Sequence, residues 1–495
     1  MRFILVVHRY LAVAVGMLMT LWCLSGFVMM YQAFPDVSPE ERLRGLKPLV
    51  LDACCTLGDF RPHEDTPVGS FRMEMLLDHP VLRVSGGNND PATVINLRTG
   101  EALPALSEDQ LLAVARDFAR GNGWHGQPSL LGVINSDQWT LQNAPRNAPA
   151  WHVAINDAAG TELYINGRTG EVFQQTNRLE RLLSWFGAIP HWLYPSMLRM
   201  NAALWTDVVI WTSVLGSFLA ATGLYVGIQR LGLGRRASRQ RISPYTGLWY
   251  WHHLSGLVFG VLTLTWVFSG LLTMNPWGWL AGSSHEARLY QRELGGQARW
   301  GDIYRLLTSV TRGDHQLSGQ TDLVQITPAG FEQRTWLLGH SRDGSTVRYN
   351  TLGEPSPLTP EQIEAAVRAL DVPILDAGLL HTEDNYYYGH KREVDLPVYR
   401  VLLDDSESTR LYINPDTGVV RSVDNTRRLS RWLRTGLHDF DFALIRMRPL
   451  WDIVVMFLLA GVTFVCATGT WMALRRIYRD VTSLNSRRQR RRIQV

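Results

Sequence analysis

The chain contains few cysteines, and their placement excludes the common cysteine-based sites. There are four in 495 residues, and no Cys-X-X-Cys pair occurs, so the sequence indicates neither a thioredoxin-like site nor a zinc ribbon. Cys23 and Cys466 lie in apolar runs, where a thiol packs as a small core residue. Cys54 and Cys55 are adjacent. Because a disulfide between neighbours is strained and rare, we expect no disulfide framework.

Nucleotide-binding and hydrolase motifs are also missing. The sequence has no Walker A motif, no Gly-X-Gly-X-X-Gly after a strand, no His-Glu-X-X-His and no Gly-X-Ser-X-Gly elbow. The chain therefore lacks a nucleotide or flavin site that sequence can identify. Any electrons that it transfers must come from a partner, such as a cytoplasmic flavin reductase, or from quinol.

Long apolar runs are what the chain does have. Four runs, near 10–32, 204–228, 248–273 and 450–474, reach the roughly 20 residues that cross a bilayer. A mean hydropathy of -0.07 shows that much of the remaining chain is suited to water. The first run contains Trp22 and Tyr31 and lacks a small-residue cleavage site, which predicts an uncleaved anchor rather than a signal peptide.

Arginine is concentrated next to these spans, and its distribution predicts their orientation. The clusters precede span one, separate spans two and three, and follow span four: Arg2 and Arg9; Arg230, Arg235, Arg236, Arg239 and Arg241; Arg475, Arg476, Arg479, Arg487, Arg488, Arg490, Arg491 and Arg492. Short loops rich in arginine stay in the cytoplasm, so the two long segments should be periplasmic. The net charge of +4 is then a feature of the inner surface and does not indicate nucleic-acid binding.

The two halves of the sequence repeat one another. His8 precedes an apolar run that ends in Ser-Gly at 25–26, and His252 precedes a second run that ends in Ser-Gly at 269–270. Leu-Tyr-Ile-Asn at 163–166 recurs at 411–414, and Thr-Gly at 169–170 recurs at 417–418. A histidine, an arginine and an apolar run follow each string. Histidines at matching places in both halves suggest paired ligands.

Each long segment also carries a helix followed by alternating strands. Ser107 and Thr359 each begin a capping box with a glutamine three residues later. Alternating strands follow at 150–155 and 162–165, and again at 398–402 and 410–413. The predicted fold class is membrane α+β: four transmembrane helices as a duplicated two-span unit, with two periplasmic α+β domains.

The helix and strand pair ending in a Thr-Gly turn resembles a PepSY domain, and the whole chain resembles the PepSY-associated transmembrane family. Supporting strings are PHWLYP at 190–195, WHHLSGL at 251–257, DNYYY at 384–388 and LHDFDF at 437–442. The resemblance implies haem-containing reductases of ferric siderophores in the bacterial inner membrane. The predicted division is span 1–33, periplasmic PepSY-like domain 34–203, span 204–229, basic cytoplasmic loop 230–247, span 248–274, periplasmic PepSY-like domain 275–449, span 450–474 and basic cytoplasmic tail 475–495.

His8 and His252 are the first predicted ligand pair. Neutral imidazole is a common axial ligand of haem iron, and an ionisable residue within a span indicates function. The alternative is a polar residue that snorkels or caps its helix. The sequence leaves open whether His252 or its neighbour His253 is the ligand.

His191 and His438 are the second predicted pair, near the outer interface, and would hold a second haem b. The alternative is a place in the aromatic belt. Arg199 and Arg446 follow in register, and arginine binds carboxylates such as haem propionates bidentately; equally, they can anchor the helices at lipid headgroups.

The predicted function is transmembrane electron transfer that reduces a periplasmic ferric siderophore, or another ferric chelate, for iron acquisition. Tyr386, Tyr387 and His390 would contact the chelate, although an alternating strand with one exposed face explains them equally simply. The expected partners are membrane lipid, the ferric substrate and an electron donor, without nucleic acid. Two other functions stay open: a regulator of envelope proteolysis without catalytic activity, and an accessory protein of metal or siderophore uptake.

Overall fold

The computed structural model describes residues 2–51, 54–58, 62–85, 93–231, 243–280, 284–311, 322–350, 353–389 and 394–493. The chain divides into two compact units. The helical unit comprises Met1–Phe34, Leu182–Ala281 and Leu429–Val495. The α+β unit comprises Pro35–Arg181 and Gly282–Arg428.

Helices and strands alternate in blocks along the chain. The helices are α1 (Arg2–Met29), α2 (Pro39–Gly45), α3 (Glu108–Gly121), α4 (Ala144–Asn147), α5 (Arg178–Phe186), α6 (Ala188–His191), α7 (Ser196–Arg199), α8 (Ala202–Gln229), α9 (Leu248–Thr273), α10 (His285–Gly295), α11 (Trp300–Thr311), α12 (Pro360–Arg368), α13 (Asn425–Ser430) and α14 (Leu450–Ile493), with a 3-10 turn at Pro276–Gly278 and a π-helical turn at Arg431–Gly436. The strands are β1 (Ser70–Leu76), β2 (His79–Ser85), β3 (Thr93–Asn96), β4 (Ser129–Ile134), β5 (Ala150–Ala154), β6 (Glu162–Asn166), β7 (Val172–Thr176), β8 (Leu323–Phe331), β9 (Arg334–Ser341), β10 (Thr346–Tyr349), β11 (Ile374–Leu380), β12 (Val398–Leu403), β13 (Arg410–Ile413) and β14 (Val420–Val423).

Four helices, α1, α8, α9 and α14, are long and apolar enough to cross a membrane, as the four apolar runs predict. Helix α1 packs against α8 and α14, and α9 packs against the same two, so α1 and α9 lie at opposite corners of a bundle. Small residues at helix contacts allow the backbones of packed helices to approach one another closely. Thr20 and Thr470 hydroxyls also hydrogen-bond at 2.9 Å between α1 and α14. Helix α1 begins at Arg2, before the apolar run near 10–32, so His8 lies within the helix.

The α+β unit contains two four-stranded antiparallel sheets, each with one helix on its face. Their strand orders are β4-β5-β6-β7 and β11-β12-β13-β14. Helix α3 begins at the capping box of Ser107, and α12 at that of Thr359, as predicted. Leu111 of α3 packs on Leu163. The sequence therefore predicts the two middle strands of each sheet and its helix correctly, and the outer strands complete the layer.

A six-stranded sheet, in the order β10-β9-β8-β1-β2-β3, joins strands from both long segments. Strand β1 pairs with β8 through Met73–Ile326 and Glu74–Gln325. The Glu74 carboxylate is buried, and it accepts hydrogen bonds from Arg83 Nε and from Gln325 Nε2 at 2.8 Å. These bonds satisfy a charge that would be costly to bury alone. The sequence analysis does not anticipate this sheet, because its partner strands are far apart in the chain.

Cys54 and Cys55 are joined by a disulfide, so the expectation that they stay unbonded is wrong. Both side chains pack against the apolar cluster that includes Phe71, Leu97 and Trp300. Cys23 and Cys466 are free thiols, as predicted.

Candidate functional site

His8 and His252 are held in the same way by different helices. His8 Nδ1 lies 3.1 Å from the Leu219 carbonyl oxygen and 3.3 Å from Thr222 Oγ1 on α8. His252 Nδ1 lies 3.0 Å from Thr468 Oγ1 on α14. With Leu219 O as acceptor, His8 Nδ1 carries the proton, so its Nε2 is the nitrogen with a lone pair suited to a metal.

A glycine lies behind each of these two rings. A Cβ atom at Gly223 would be 2.8 Å from His8 Cε1, and a Cβ atom at Gly469 would be 3.0 Å from His252 Cε1. A methyl group at Gly223 would overlap the His8 ring, and one at Gly469 would press tightly on the His252 ring, so either imidazole would have to shift to make room. Gly223 follows Thr222 directly and Gly469 follows Thr468 directly. The same hydroxyl–glycine pair therefore orients both histidines.

Both histidines line one cavity of about 540 Å³ in the helical bundle. This volume falls within the range of about 300–1,000 Å³ that ligand pockets occupy. Met19 and Thr263 line the cavity towards the middle of the bundle, and glycines of α1 and α9 make its walls. Four arginines line it at the other end: Arg9, Arg475, Arg476 and Arg479.

His253 also lines the cavity, but it uses both of its ring nitrogens. Nδ1 lies 2.8 Å from Ser243 Oγ, and Nε2 lies 2.9 Å from the Gly227 carbonyl oxygen. Because a carbonyl only accepts, Nε2 must donate, and Nδ1 is then the acceptor from the serine hydroxyl. The side chain is 7 % exposed. These bonds favour His252 over His253 as the residue able to bind a ligand.

His191 and His438 lie next to each other in the helical unit. Their ring centroids are 6.2 Å apart, with the ring planes tilted by 55°. His191 lies at the end of α6, and His438 follows the π-helical turn, so neither belongs to a long helix. The structure thus brings together two residues that are far apart in the sequence, as the predicted pair requires.

The outer pair is oriented by the ends of the repeated apolar runs. His191 Nδ1 lies 3.1 Å from Ser25 Oγ and 3.2 Å from the Trp22 carbonyl oxygen. His438 Nδ1 lies 3.3 Å from both Ser269 Oγ and the Trp266 carbonyl oxygen. Because a carbonyl oxygen only accepts, each Nδ1 carries the proton and donates it, and each Nε2 carries the lone pair. The serines could have been recognised from the sequence, since both belong to the repeated Ser-Gly string.

The separation of the outer rings matches that of two imidazoles on one metal. A ring nitrogen binds a transition metal at about 2 Å and lies about 1 Å from its own ring centre, so two rings on opposite sides of an iron have centroids about 6 Å apart. The observed distance is 6.2 Å. Among the described residues, no group of three or more His, Cys, Asp or Glu side chains could hold a bare metal ion. Two imidazoles are a ligand set that can hold the iron of a haem, whose other ligands come from the macrocycle.

Arg199 and Arg446 occupy corresponding places before α8 and α14. The Arg199 guanidinium lies over the rings of Trp205, at 4.8 Å, and Tyr194, at 5.3 Å. Such cation–π contacts stabilise a cation at a partly buried position. Arg446 is half-buried in the turn before α14. Their binding to a propionate stays a prediction.

Tyr386 and Tyr387 pack against their own sheet. Asp384 accepts hydrogen bonds from both backbone amides at 2.7 Å and from the Tyr412 hydroxyl at 2.8 Å. Tyr387 stacks on Tyr412 with centroids 5.2 Å apart, and burial raises the pKa of Tyr387. Tyr387 thus packs on its own sheet, and contact of these tyrosines with a ferric chelate stays a prediction. His390 lies outside the described residues.

The chain was compared with models of protein families, with curated proteins and with solved structures, and none of them matches it.

Proposed function

We propose that this chain holds two b-type haems, one between His8 and His252 and one between His191 and His438, and passes electrons across a bacterial inner membrane to a ferric substrate. The observation that supports this most is the closeness of His191 and His438, whose ring centroids are 6.2 Å apart. Haem with two imidazole ligands accepts and releases single electrons. Reduction of the ferric substrate to Fe²⁺ weakens its binding by hard oxygen ligands.

The residues of the chain have separate tasks in this proposal. His8, His252, His191 and His438 supply the axial nitrogens. The carbonyls of Leu219, Trp22 and Trp266 accept the Nδ1 protons of three of these rings, which fixes ring orientation and raises the basicity of each Nε2. Apolar side chains of the bundle exclude water and lower the dielectric constant around the iron, which tunes its potential.

The proposal includes the topology and the ancestry of the chain. The arginine clusters place both termini in the cytoplasm and the α+β unit in the periplasm. Two sheets of the same strand order, each with an Asp–Tyr bond (Asp137–Tyr164 at 2.7 Å and Asp384–Tyr412 at 2.8 Å), support a duplicated PepSY-like domain. The substrate is a ferric siderophore or a similar chelate, and the electron donor is a cytoplasmic flavin reductase or quinol.

The visible spectrum and haem content of the purified full-length protein test this proposal. We expect two b-type haems per chain, a sharp Soret band and the low-spin signal of two-imidazole ligation. Reduced protein in vesicles should be reoxidised when a ferric chelate is added on the side of the α+β unit. Colourless protein from haem-replete cells would refute the proposal and favour a regulator or an uptake accessory.

A further inference from the structure

The cavity of His8 and His252 has a cationic end, and its arginines have so far served only as signals of membrane orientation. Arg475, Arg476 and Arg479 follow Gly469 on α14, and Arg9 follows His8 on α1. All four line the same cavity as the two histidines. At 1.5 Å per residue, the three arginines of α14 lie roughly 10–15 Å further along the helix than Gly469.

Three of these four guanidinium groups form no salt bridge within the part of the chain that the structure describes. Arg476 pairs with Asp480 at 3.1 Å, one turn along α14. For Arg9, Arg475 and Arg479, the part of the chain that the structure describes contains no acidic side chain within salt-bridge distance. Three cations at the mouth of one apolar cavity create a positive potential that attracts an anion.

The shape of the cavity further restricts that anion. Met19, Leu219 and several glycines line its inner part, whereas four arginines line its other end. A ligand suited to this lining is apolar at one end and carries anionic oxygens at the other. Guanidinium groups bind such carboxylates bidentately.

We infer that Arg9, Arg475 and Arg479 bind the propionate carboxylates of the haem between His8 and His252, and so fix its orientation with the propionates towards the arginine end. This inference rests on the proposed function. It assigns the inner propionates to residues other than Arg199 and Arg446, which lie before α8 and α14. Anionic lipid headgroups present similar oxygens, and the experiment below separates the two sources.

The test uses the full-length chain carrying His438→Ala, so that only the inner site binds haem. The double variant Arg475→Gln/Arg479→Gln is compared with Arg230→Gln, which removes an exposed arginine at the end of α8 that does not line the cavity. Each protein is produced in haem-depleted cells and titrated, in neutral-lipid and in anionic-lipid nanodiscs, with haem and with haem dimethyl ester. Release of haem from the loaded proteins to apomyoglobin is measured in parallel, so that a variant that folds poorly when empty still yields a result.

We expect the double variant to bind haem at least about tenfold more weakly and to release it correspondingly faster, because it loses two guanidinium groups that form charge-assisted hydrogen bonds to the propionates. Arg230→Gln should behave like the parent. With the dimethyl ester, which lacks the carboxylates, the parent and the double variant should bind alike. The midpoint potential of the bound haem should also fall in the double variant, because loss of nearby positive charge stabilises the ferric state.

Two results would overturn the inference while leaving the proposed function intact. One is an unchanged affinity for haem in the double variant. The other is an equal loss of affinity for haem and its ester, or a loss that appears only in nanodiscs of anionic lipid, which would assign the arginines to lipid. Failure of the His438→Ala parent to bind haem at all would instead count against the proposed function.

Discussion

The two halves of the chain hold their inner histidines with the same residue types, but they differ at the turn that follows the Thr-Gly string in their sheets. Thr222 and Gly223 orient His8 as Thr468 and Gly469 orient His252. In contrast, Glu171 and Val419 follow the same Thr-Gly string of the repeat. Glu171 makes ion pairs with Arg42 and with Arg72, the latter at 3.0 Å, whereas Val419 is 54 % exposed.

This difference separates two kinds of constraint. A sheet can lose an ion pair at its turn if other packing compensates, so corresponding positions there can differ. A ligand site between helices requires ring orientation and space together, and both halves meet that requirement with the same residue types. The agreement is thus greatest where the proposed function needs it.

The largest expected effect comes from removing a histidine. His8→Ala or His252→Ala should remove one haem equivalent and leave the other, and His191→Ala or His438→Ala should do the reverse, since each iron loses an axial nitrogen. Haem content per chain and the Soret amplitude measure this. The matched control is His253→Gln, because His253 already uses both ring nitrogens, and we expect it to keep both haems. Full haem content in either inner variant would show that the assignment to that histidine is wrong.

Acid should destabilise the first half of the α+β unit through Glu171. Burial alone would raise the pKa of this carboxyl, but the charges of Arg72, Arg83 and Arg42 lower it to about 2. The ionised form is therefore favoured in the folded state, so the stabilisation is present above pH 4.5 and is lost as the pH falls towards 2.

The lowered pKa of Glu171 corresponds to a stabilisation of the folded state of at most about 3 kcal/mol at neutral pH. Solvent screening reduces this value, because the Glu171 side chain is 23 % exposed. Glu171→Gln should remove most of this pH dependence, measured by unfolding of the full chain between pH 3 and 7. Val419→Gln is the control in the other half and should leave the pH dependence unchanged. An identical acid profile for Glu171→Gln and the native chain would contradict the assignment.

The sequence predicts those features that depend on local pattern. Apolar length predicts the four helices, and capping boxes with alternating strands predict α3, α12 and the middle strands of two sheets. Pairings between distant segments, such as β1 with β8, leave no local signal. Likewise, the repeat predicts which histidines correspond, but only packing of α6 and the π-helical turn shows that His191 meets His438. The hydrogen bonds of His253 also depend on tertiary structure. The sequence alone therefore could not decide whether His252 or His253 is the ligand.

Glycine substitution should disturb the two inner histidines alike. A methyl group would lie 2.8 Å from the ring at Gly223 and 3.0 Å at Gly469, closer than ordinary van der Waals contact, so Gly223→Ala and Gly469→Ala should displace the imidazole from its present position. We expect about tenfold weaker haem binding at the inner site and a shifted Soret band, with the outer haem unchanged. Ala221→Val, on the exposed face of α8, is the control. Unequal effects of the two glycine variants on haem binding would show that His8 and His252 are not held in the same way.

The smallest effect is expected at the serines of the outer pair. Ser25→Ala and Ser269→Ala each remove one hydroxyl near a histidine Nδ1, but the carbonyls of Trp22 and Trp266 still accept that proton. Loss of the outer haem should therefore accelerate only about threefold, below the 10–100-fold cost of losing all such support. Ser217→Ala, which loses only a bond to the Ser213 carbonyl within α8, should have no effect on haem release. A tenfold or larger effect from Ser25→Ala alone would mean that the hydroxyl, and not the carbonyl, orients His191, and the two outer histidines would then differ in how they are held.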